Sequence, residues 1–121
     1  MIKFICYPKC STCKKAQNFL DKNSMDYELR DIKSENPTYE ELKSWHDMSG
    51  IPLKKFFNTS GMLYRSMELK DKLDAMSEDE QLRLLASDGM LVKRPIAISG
   101  NTVLLGFNEE KWTAAFKSKK S

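Results

Sequence analysis

The pair Cys10-Ser11-Thr12-Cys13 sits where the chain changes period, and that junction constrains the fold more than any other feature. Before it, Ile2-Lys3-Phe4-Ile5-Cys6 is short, apolar and partly β-branched, and Pro8 closes the run, which predicts a strand. From Ser11 onward the spacing becomes helical. Ala16, Phe19, Leu20 and Asn23 share one face, while Lys14, Lys15, Asn18 and Asp21 fall elsewhere. Tyr27-Glu28-Leu29-Arg30-Asp31-Ile32 alternates and reads as a second strand. Strand, helix, strand predicts a right-handed parallel βαβ unit, with Cys10 just before the helix and Cys13 in its first turn.

Further on, Thr38 with Glu41 forms a capping box that opens a helix carrying Leu42, Trp45 and Ser49 on one side and ending at Gly50. Pro52 is expected to start a short helix through Phe56-Phe57. Asn58-Thr59-Ser60-Gly61 is a polar loop with left-handed options at Asn58 and Gly61. A second capping box, Ser77 with Glu80, opens a helix whose stripe is Leu82, Leu85 and Ala86 and whose stop is Gly89. Two short strands, 96–99 and 102–105, flank the hairpin signal Gly100-Asn101. Asn108 caps a last helix, with Glu109 and Glu110 at its positive end and Trp112, Ala115 and Phe116 packing inward. The order β-α-β, helical middle, β-β-α is that of an α/β, thioredoxin-like domain. It predicts a four-stranded mixed sheet and a helical insertion at about 37–90 between the halves.

Composition narrows what such a chain can do. The 121 residues, 40% hydrophobic and 31% charged, suit a single domain over 1–121. No run approaches the roughly 18 apolar residues that span a bilayer. The N-terminus lacks the longer apolar stretch and small residues of a secretory signal, so a cytoplasmic setting is expected. The net charge is +3, and Lys117, Lys119 and Lys120 account for all of it, so the preceding 116 residues carry none. A flexible tail at 117–121 is expected rather than a grip on phosphate backbones; neither direct nucleic-acid nor membrane binding is predicted. No apolar stripe stands apart from the expected core, which points to a monomer.

Three cysteines is an odd number, and in a reducing compartment Cys10-x-x-Cys13 suggests redox or metal chemistry rather than a staple. At a helix N-terminus, unbonded backbone N–H groups and the positive end of the dipole favour a thiolate, and Lys9 and Lys14 act in the same direction. Cys10 is therefore the expected attacking thiol and Cys13 the resolving one. A structural zinc needs four ligands, and only Cys6 and His46 are left to supply them, neither with paired ligand spacing; no metal is expected. Cys6 reads as a buried hydrophobe of the strand and His46 as a partly exposed helix residue. Arg94-Pro95 is a second constellation. Pro95 heads the third strand, where a missing N–H is tolerable, and its peptide bond is open to cis or trans on the sequence alone.

With Tyr7-Pro8-Lys9-Cys10-Ser11-Thr12-Cys13-Lys14-Lys15-Ala16, Lys93-Arg94-Pro95-Ile96 and Leu105-Gly106-Phe107-Asn108-Glu109 in that order, the chain resembles the ArsC/Spx family. That family holds glutaredoxin-linked arsenate reductases and Spx-type transcriptional regulators. The segments 54–61, 76–81 and 86–90 are similar to a less characterised bacterial branch of it. The resemblance implies a thioredoxin-like fold with a helical insertion and a cis peptide at Pro95. It also implies a cysteine at the position of Cys10 that attacks arsenate, with arginines holding the oxyanion. Arg94 matches one arginine, the place of another holds Lys54 with Lys55 beside it, and a third falls near Gly106, with no arginine beyond Arg94. Guanidinium suits a multiply charged oxyanion better than ammonium does, so arsenate itself is less well matched than a cationic pocket in general.

On this resemblance the catalytic set is Cys10, Cys13 and Arg94, and Lys14, Lys54, Arg94 and Pro95 bind substrate. No bound cofactor is implied; glutathione, glutaredoxin or thioredoxin would donate electrons, and the partner would be a small oxidised substrate or a mixed disulfide. Glutaredoxin-linked reductases usually lack a cysteine at Cys13, whereas Spx and dithiol reductases share the C-x-x-C. The second expectation is therefore a redox-sensing regulator that binds the C-terminal domain of the RNA polymerase α subunit. Gly50 and Arg94 match its contact and redox-responsive positions, although helix termination is a sufficient local reason for Gly50. The insertion otherwise looks unlike Spx.

Overall fold

A computed structural model describes residues 1–117, and they form two compact units. Residues 1–30 with 94–121 make one and residues 31–93 the other. The flexible tail expected at 117–121 falls, from residue 118 on, outside the described residues. Among the described residues no helix is long and apolar enough to cross a membrane.

The first unit carries β1 (Ile2–Cys6), α1 (Ser11–Lys22), β2 (Tyr27–Asp31), β3 (Ile96–Ser99), β4 (Thr102–Leu105) and α6 (Glu109–Trp112), which continues as a π-helical turn over Thr113–Lys117. The sheet order is β2-β1-β3-β4. β1 pairs antiparallel with β3 through Phe4 opposite Ala97, and β3 pairs antiparallel with β4 through Ala97 opposite Leu104. The sheet is mixed and the architecture thioredoxin-like, as the element order predicted. Gly100 takes φ +58 at the first position of the two-residue β3–β4 turn, which a residue without Cβ accommodates freely.

Strand alternation sorts β1 by face. Ile2, Phe4 and Cys6 join Cys13, Ala16, Phe19 and Leu20 of α1, together with Ala97, Trp112 and Phe116, in one buried cluster. Fully burying each large apolar side chain contributes roughly 1.5–3 kcal/mol, which presses α1 onto this face of the sheet. Trp112 satisfies its indole N–H on the Gly106 carbonyl at 3.1 Å, and Asn108 caps α6 by accepting the Lys111 N–H at 3.0 Å.

The second unit is helical. It holds α2 (Tyr39–Ser49), a 3₁₀ turn (Leu53–Phe56), α3 (Met62–Ser66), α4 (Leu69–Lys72), a 3₁₀ turn (Leu73–Ala75), α5 (Glu78–Ser87) and a 3₁₀ turn (Gly89–Leu91). Both expected capping boxes are present, Thr38 with Glu41 and Ser77 with Glu80. Gly50 is left-handed at φ +69 and ends α2 with its N–H on the His46 carbonyl. Phe57 bridges Val92, and the Lys93 N–H reaches the Phe56 carbonyl at 2.7 Å, which ties the end of this unit to the 3₁₀ turn in its interior.

Three expectations need correcting here. Gly89 is not a left-handed stop: α5 ends at Ser87, its C-cap Asp88 is extended, and a Cβ on Gly89 would lie 1.8 Å from the Ile32 carbonyl oxygen. Close approach of backbone, not a turn angle, demands glycine there. Neither Asn58 nor Gly61 is left-handed, since Gly61 has φ −79 and serves as the N-cap of α3. Helices α3 and α4, joined through Glu68 at φ +54, carry no legible signal, because elements of five and four residues are too short to display a helical period.

Candidate active site

Cys10 is the N-cap of α1 in extended conformation, and Cys13 lies in the first turn. The chain enters this turn through Tyr7, whose carbonyl accepts the Cys10 N–H at 2.9 Å. The Lys14 N–H then bonds the Cys10 carbonyl at 3.1 Å and closes the first helical ring. The Cys10 side chain makes no capping hydrogen bond, contrary to the expectation that helix N–H groups receive its sulfur. The backbone donor aimed at sulfur is instead the Tyr7 N–H, 3.2 Å from Cys13 Sγ.

The two thiols of the motif differ in surroundings. Cys10 is half-buried, whereas Cys13 is 1% exposed and packed in the core cluster. The Cys13 thiol is held far above its ordinary ionisation range, first by a hydrogen bond to Cys6 and then by burial. The Tyr7 N–H and a hydrogen bond from Cys10 work in the opposite direction without overcoming it. Both other cysteines of the chain thus act on the Cys13 sulfur, Cys6 raising its ionisation range and Cys10 lowering it. All three are thiols, with no disulfide joining them.

Cys6 is a buried member of the core, as the sequence leads us to expect. It is 3% exposed, yet its sulfur partners Cys13. A signal for this was available. Positions 2, 4 and 6 of a strand share a face, positions 13, 16 and 20 of a helix share a face, and two apolar faces on adjacent elements must meet.

Tyr7 was also missed, and it gathers the predicted residues. Its N–H faces Cys13, its carbonyl receives Cys10, and its ring lies under the Arg94 guanidinium, with Cζ 5.3 Å from the centroid. That contact is within cation–π range. Arg94 Nε and Nη1 are buried and have no hydrogen-bond partner among the described residues. The Arg94–Pro95 peptide is cis, and the Pro95 carbonyl accepts the Gly106 N–H at 2.8 Å. Lys14 is exposed on α1.

The remaining two candidates belong to the other unit. Lys54 sits in the 3₁₀ turn 53–56 and pairs with Asp74, both side chains largely exposed. Gly50 is exposed, with nothing within 4 Å of where a Cβ would stand. His46 is partly exposed on α2, as expected. Its Nδ1 donates to the Ile51 carbonyl at 2.7 Å and its ring stands edge-on to Phe56. Among the described residues no group of three or more His, Cys, Asp or Glu side chains is arranged to hold a metal ion.

A half-buried thiol, a second thiol behind it that stays protonated, and a guanidinium with donors to spare suit the handling of a sulfur or oxyanion electrophile. Comparisons with known proteins identify a family. The ArsC family model matches residues 6–115. The uncharacterized protein YusI of Bacillus subtilis (strain 168) is 51% identical over 111 residues, covering 92% of this chain and 94% of that one. A structure from Streptococcus mutans UA159, described as a possible arsenate reductase, is 46% identical with a TM-score of 0.85, covering 93% and 97% of the two chains. The global transcriptional regulator Spx of Enterococcus faecalis is 27% identical, covering 92% of this chain and 83% of its own.

Proposed function

We propose that this chain, which belongs to the ArsC family, is a thiol–disulfide oxidoreductase in which Cys10 attacks and Cys13 resolves. The observation that carries the proposal is the asymmetry of the pair: one sulfur is reachable and the other is buried and held protonated. Cys10, as thiolate, attacks one sulfur of an oxidised substrate; the substrate S–S bond breaks and its far half leaves as a thiolate. Cys13 then attacks the Cys10 sulfur, its proton passing to a departing thiolate, and the second half is released. The Cys10–Cys13 disulfide retains the oxidation, and glutathione, glutaredoxin or thioredoxin returns two electrons to restore both thiols. With arsenate as the electrophile, the same two thiols supply the two electrons that take arsenic(V) to arsenic(III), and one oxygen leaves as water. Arg94 would hold an anionic substrate through the two nitrogens that have no internal partner. Lys14, Lys54 and Pro95 complete the proposed substrate set.

The test couples thiol oxidation to reduction of arsenate and, separately, of glutathione disulfide, with Cys10→Ser beside the wild type. We expect turnover that falls roughly 1,000-fold or more in the variant. Absence of turnover on both substrates with all three donors overturns the enzyme reading.

A second reading is favoured by one observation: Gly50 presents open, exposed backbone at the end of α2. In that reading the cysteine pair is a sensor whose oxidation changes affinity for the C-terminal domain of the RNA polymerase α subunit. Capture of that domain by reduced or oxidised protein, lost in Gly50→Arg, would support it; no capture in either state would remove it.

A further inference from the structure

Neither the attacking nor the resolving role uses Cys6, yet Cys6 is the residue whose sulfur partners Cys13 within the core. The backbone holds that arrangement from both sides. Cys6 is the last residue of β1, and the very next residue, Tyr7, directs its N–H onto Cys13 Sγ at 3.2 Å. The Cys13 sulfur is thus held at the end of β1, against the backbone of the residue that follows Cys6.

From this placement we propose that Cys6 is a third redox-active thiol, closing a Cys6–Cys13 disulfide that exchanges with the Cys10–Cys13 disulfide. The inference rests on the thiol–disulfide reading of the same site and extends it by one residue. In the exchange Cys6 attacks Cys13 Sγ; the Cys10–Cys13 bond breaks, the Cys6–Cys13 bond forms, and the Cys10 sulfur leaves and takes up the proton that Cys6 gave. No electrons enter or leave. Exchange of this kind proceeds through attack on a disulfide sulfur, and Cys13 interacts with both Cys6 and Cys10. A disulfide needs the two sulfurs at roughly 2.05 Å, and the N–H that holds Cys13 Sγ at 3.2 Å belongs to the peptide bond joining Cys6 to Tyr7.

The consequence is a division of the oxidised state into two forms. In one, Cys10 is locked in the disulfide with Cys13. In the other, oxidation is stored in the core between two residues that are 3% and 1% exposed, and Cys10 is again a lone thiol at the surface. The protein then operates with one accessible thiol while still oxidised, a state in which Cys10 attacks glutathione disulfide or a substrate disulfide, forms the mixed disulfide, releases the other half as a thiolate, and has no free Cys13 to resolve it.

The chain provides its own readout. Cleavage after Lys3, Lys9 and Lys14 places Cys6 in the peptide 4–9 and both Cys10 and Cys13 in the peptide 10–14. A Cys6–Cys13 bond joins two peptides, whereas a Cys10–Cys13 bond stays inside one. Wild type, Cys10→Ser and Cys6→Val are oxidised with diamide, which accepts the two electrons, then blocked with N-ethylmaleimide in denaturant at acid pH, digested and weighed by mass spectrometry. Expected are both the looped and the joined species in wild type, the joined species alone in Cys10→Ser, and the looped species alone in Cys6→Val.

If Cys6 and Cys13 of folded Cys10→Ser both take up N-ethylmaleimide under conditions that close Cys10–Cys13 in wild type, the proposal is overturned and the enzyme reading stands. If the joined species forms but wild type turns over no substrate, the enzyme reading fails and the Cys6 assignment survives. Equal melting temperatures of Cys10→Ser and wild type, each reduced, confirm that the variant tested is folded.

Discussion

The two units handle polar groups differently. In residues 31–93 charge is matched to charge or to a helix end: Lys54 pairs with Asp74, Arg83 pairs with Asp79 and covers the Tyr39 ring, and both capping boxes close. In the cysteine-bearing unit, Arg94 keeps two buried nitrogens without a partner among the described residues, and the buried Cys13 thiol interacts with both Cys6 and the half-buried Cys10. Exposed ion pairs contribute about 0–1 kcal/mol each, so the first pattern describes a scaffold. A buried donor left unsatisfied costs about 1–3 kcal/mol, which a fold retains where a ligand supplies the missing bond. Gln81 Oε1, in residues 31–93, is also buried without a partner among the described residues, so what sets the cysteine-bearing unit apart is that its orphaned donors belong to a charged group.

That contrast can be broken from either side. The largest expected effect lies in the scaffold. Gly89→Ala drives a Cβ into the Ile32 carbonyl and should cost about 3 kcal/mol of stability in urea denaturation, with Cys10 alkylation of the folded protein unchanged. A loss under about 1 kcal/mol would mean that the backbone there yields easily.

Arg94→Met should do the reverse. It removes the two orphaned donors and should lower kcat/KM for an anionic substrate by about 10–100-fold, while stability stays within about 1 kcal/mol of wild type. Unchanged kinetics in this variant would make Arg94 part of the scaffold.

The smallest effect is set by pH. The unfolded chain ionises Cys13 near its ordinary value of 9.0, while the folded protein keeps it protonated well above that. Above pH 9 the native state therefore binds more protons than the unfolded one, and stability falls as pH rises; below pH 9 the contribution is fully present. Between pH 9 and pH 10 wild type should lose about 1 kcal/mol more than Cys13→Ala, measured by urea denaturation at each pH. Parallel pH profiles would show that Cys13 ionises freely in the fold.

Much of this was legible in the residues. Period-two and helical spacing located β1, α1 and the hairpin, the capping boxes located α2 and α5, and Gly50 ended α2 with the left-handed angle expected of it. Gly89 shows where local chemistry misleads. A glycine after a helix reads as a stop, but the demand on it comes from Ile32, which is 57 residues away in sequence and carries no local signal. At the site, the C-x-x-C at the strand-to-helix turn was plain, whereas Tyr7 and Cys6 were not. Their contribution depends on which atoms β1 and α1 bring together.

By itself, then, the order of residues determined the element types, the junction that carries Cys10 and Cys13, and the two faces that pack. These follow from periodicity and capping, which act over a few residues. Only the tertiary structure decided that Cys13 faces Cys6, that Tyr7 lies beneath Arg94, and that Lys54 is matched to Asp74 within its own unit. The physical reason is range. Hydrogen bonds and thiol ionisation depend on distances of a few ångströms between elements, and those distances exist only once the apolar faces have closed on each other.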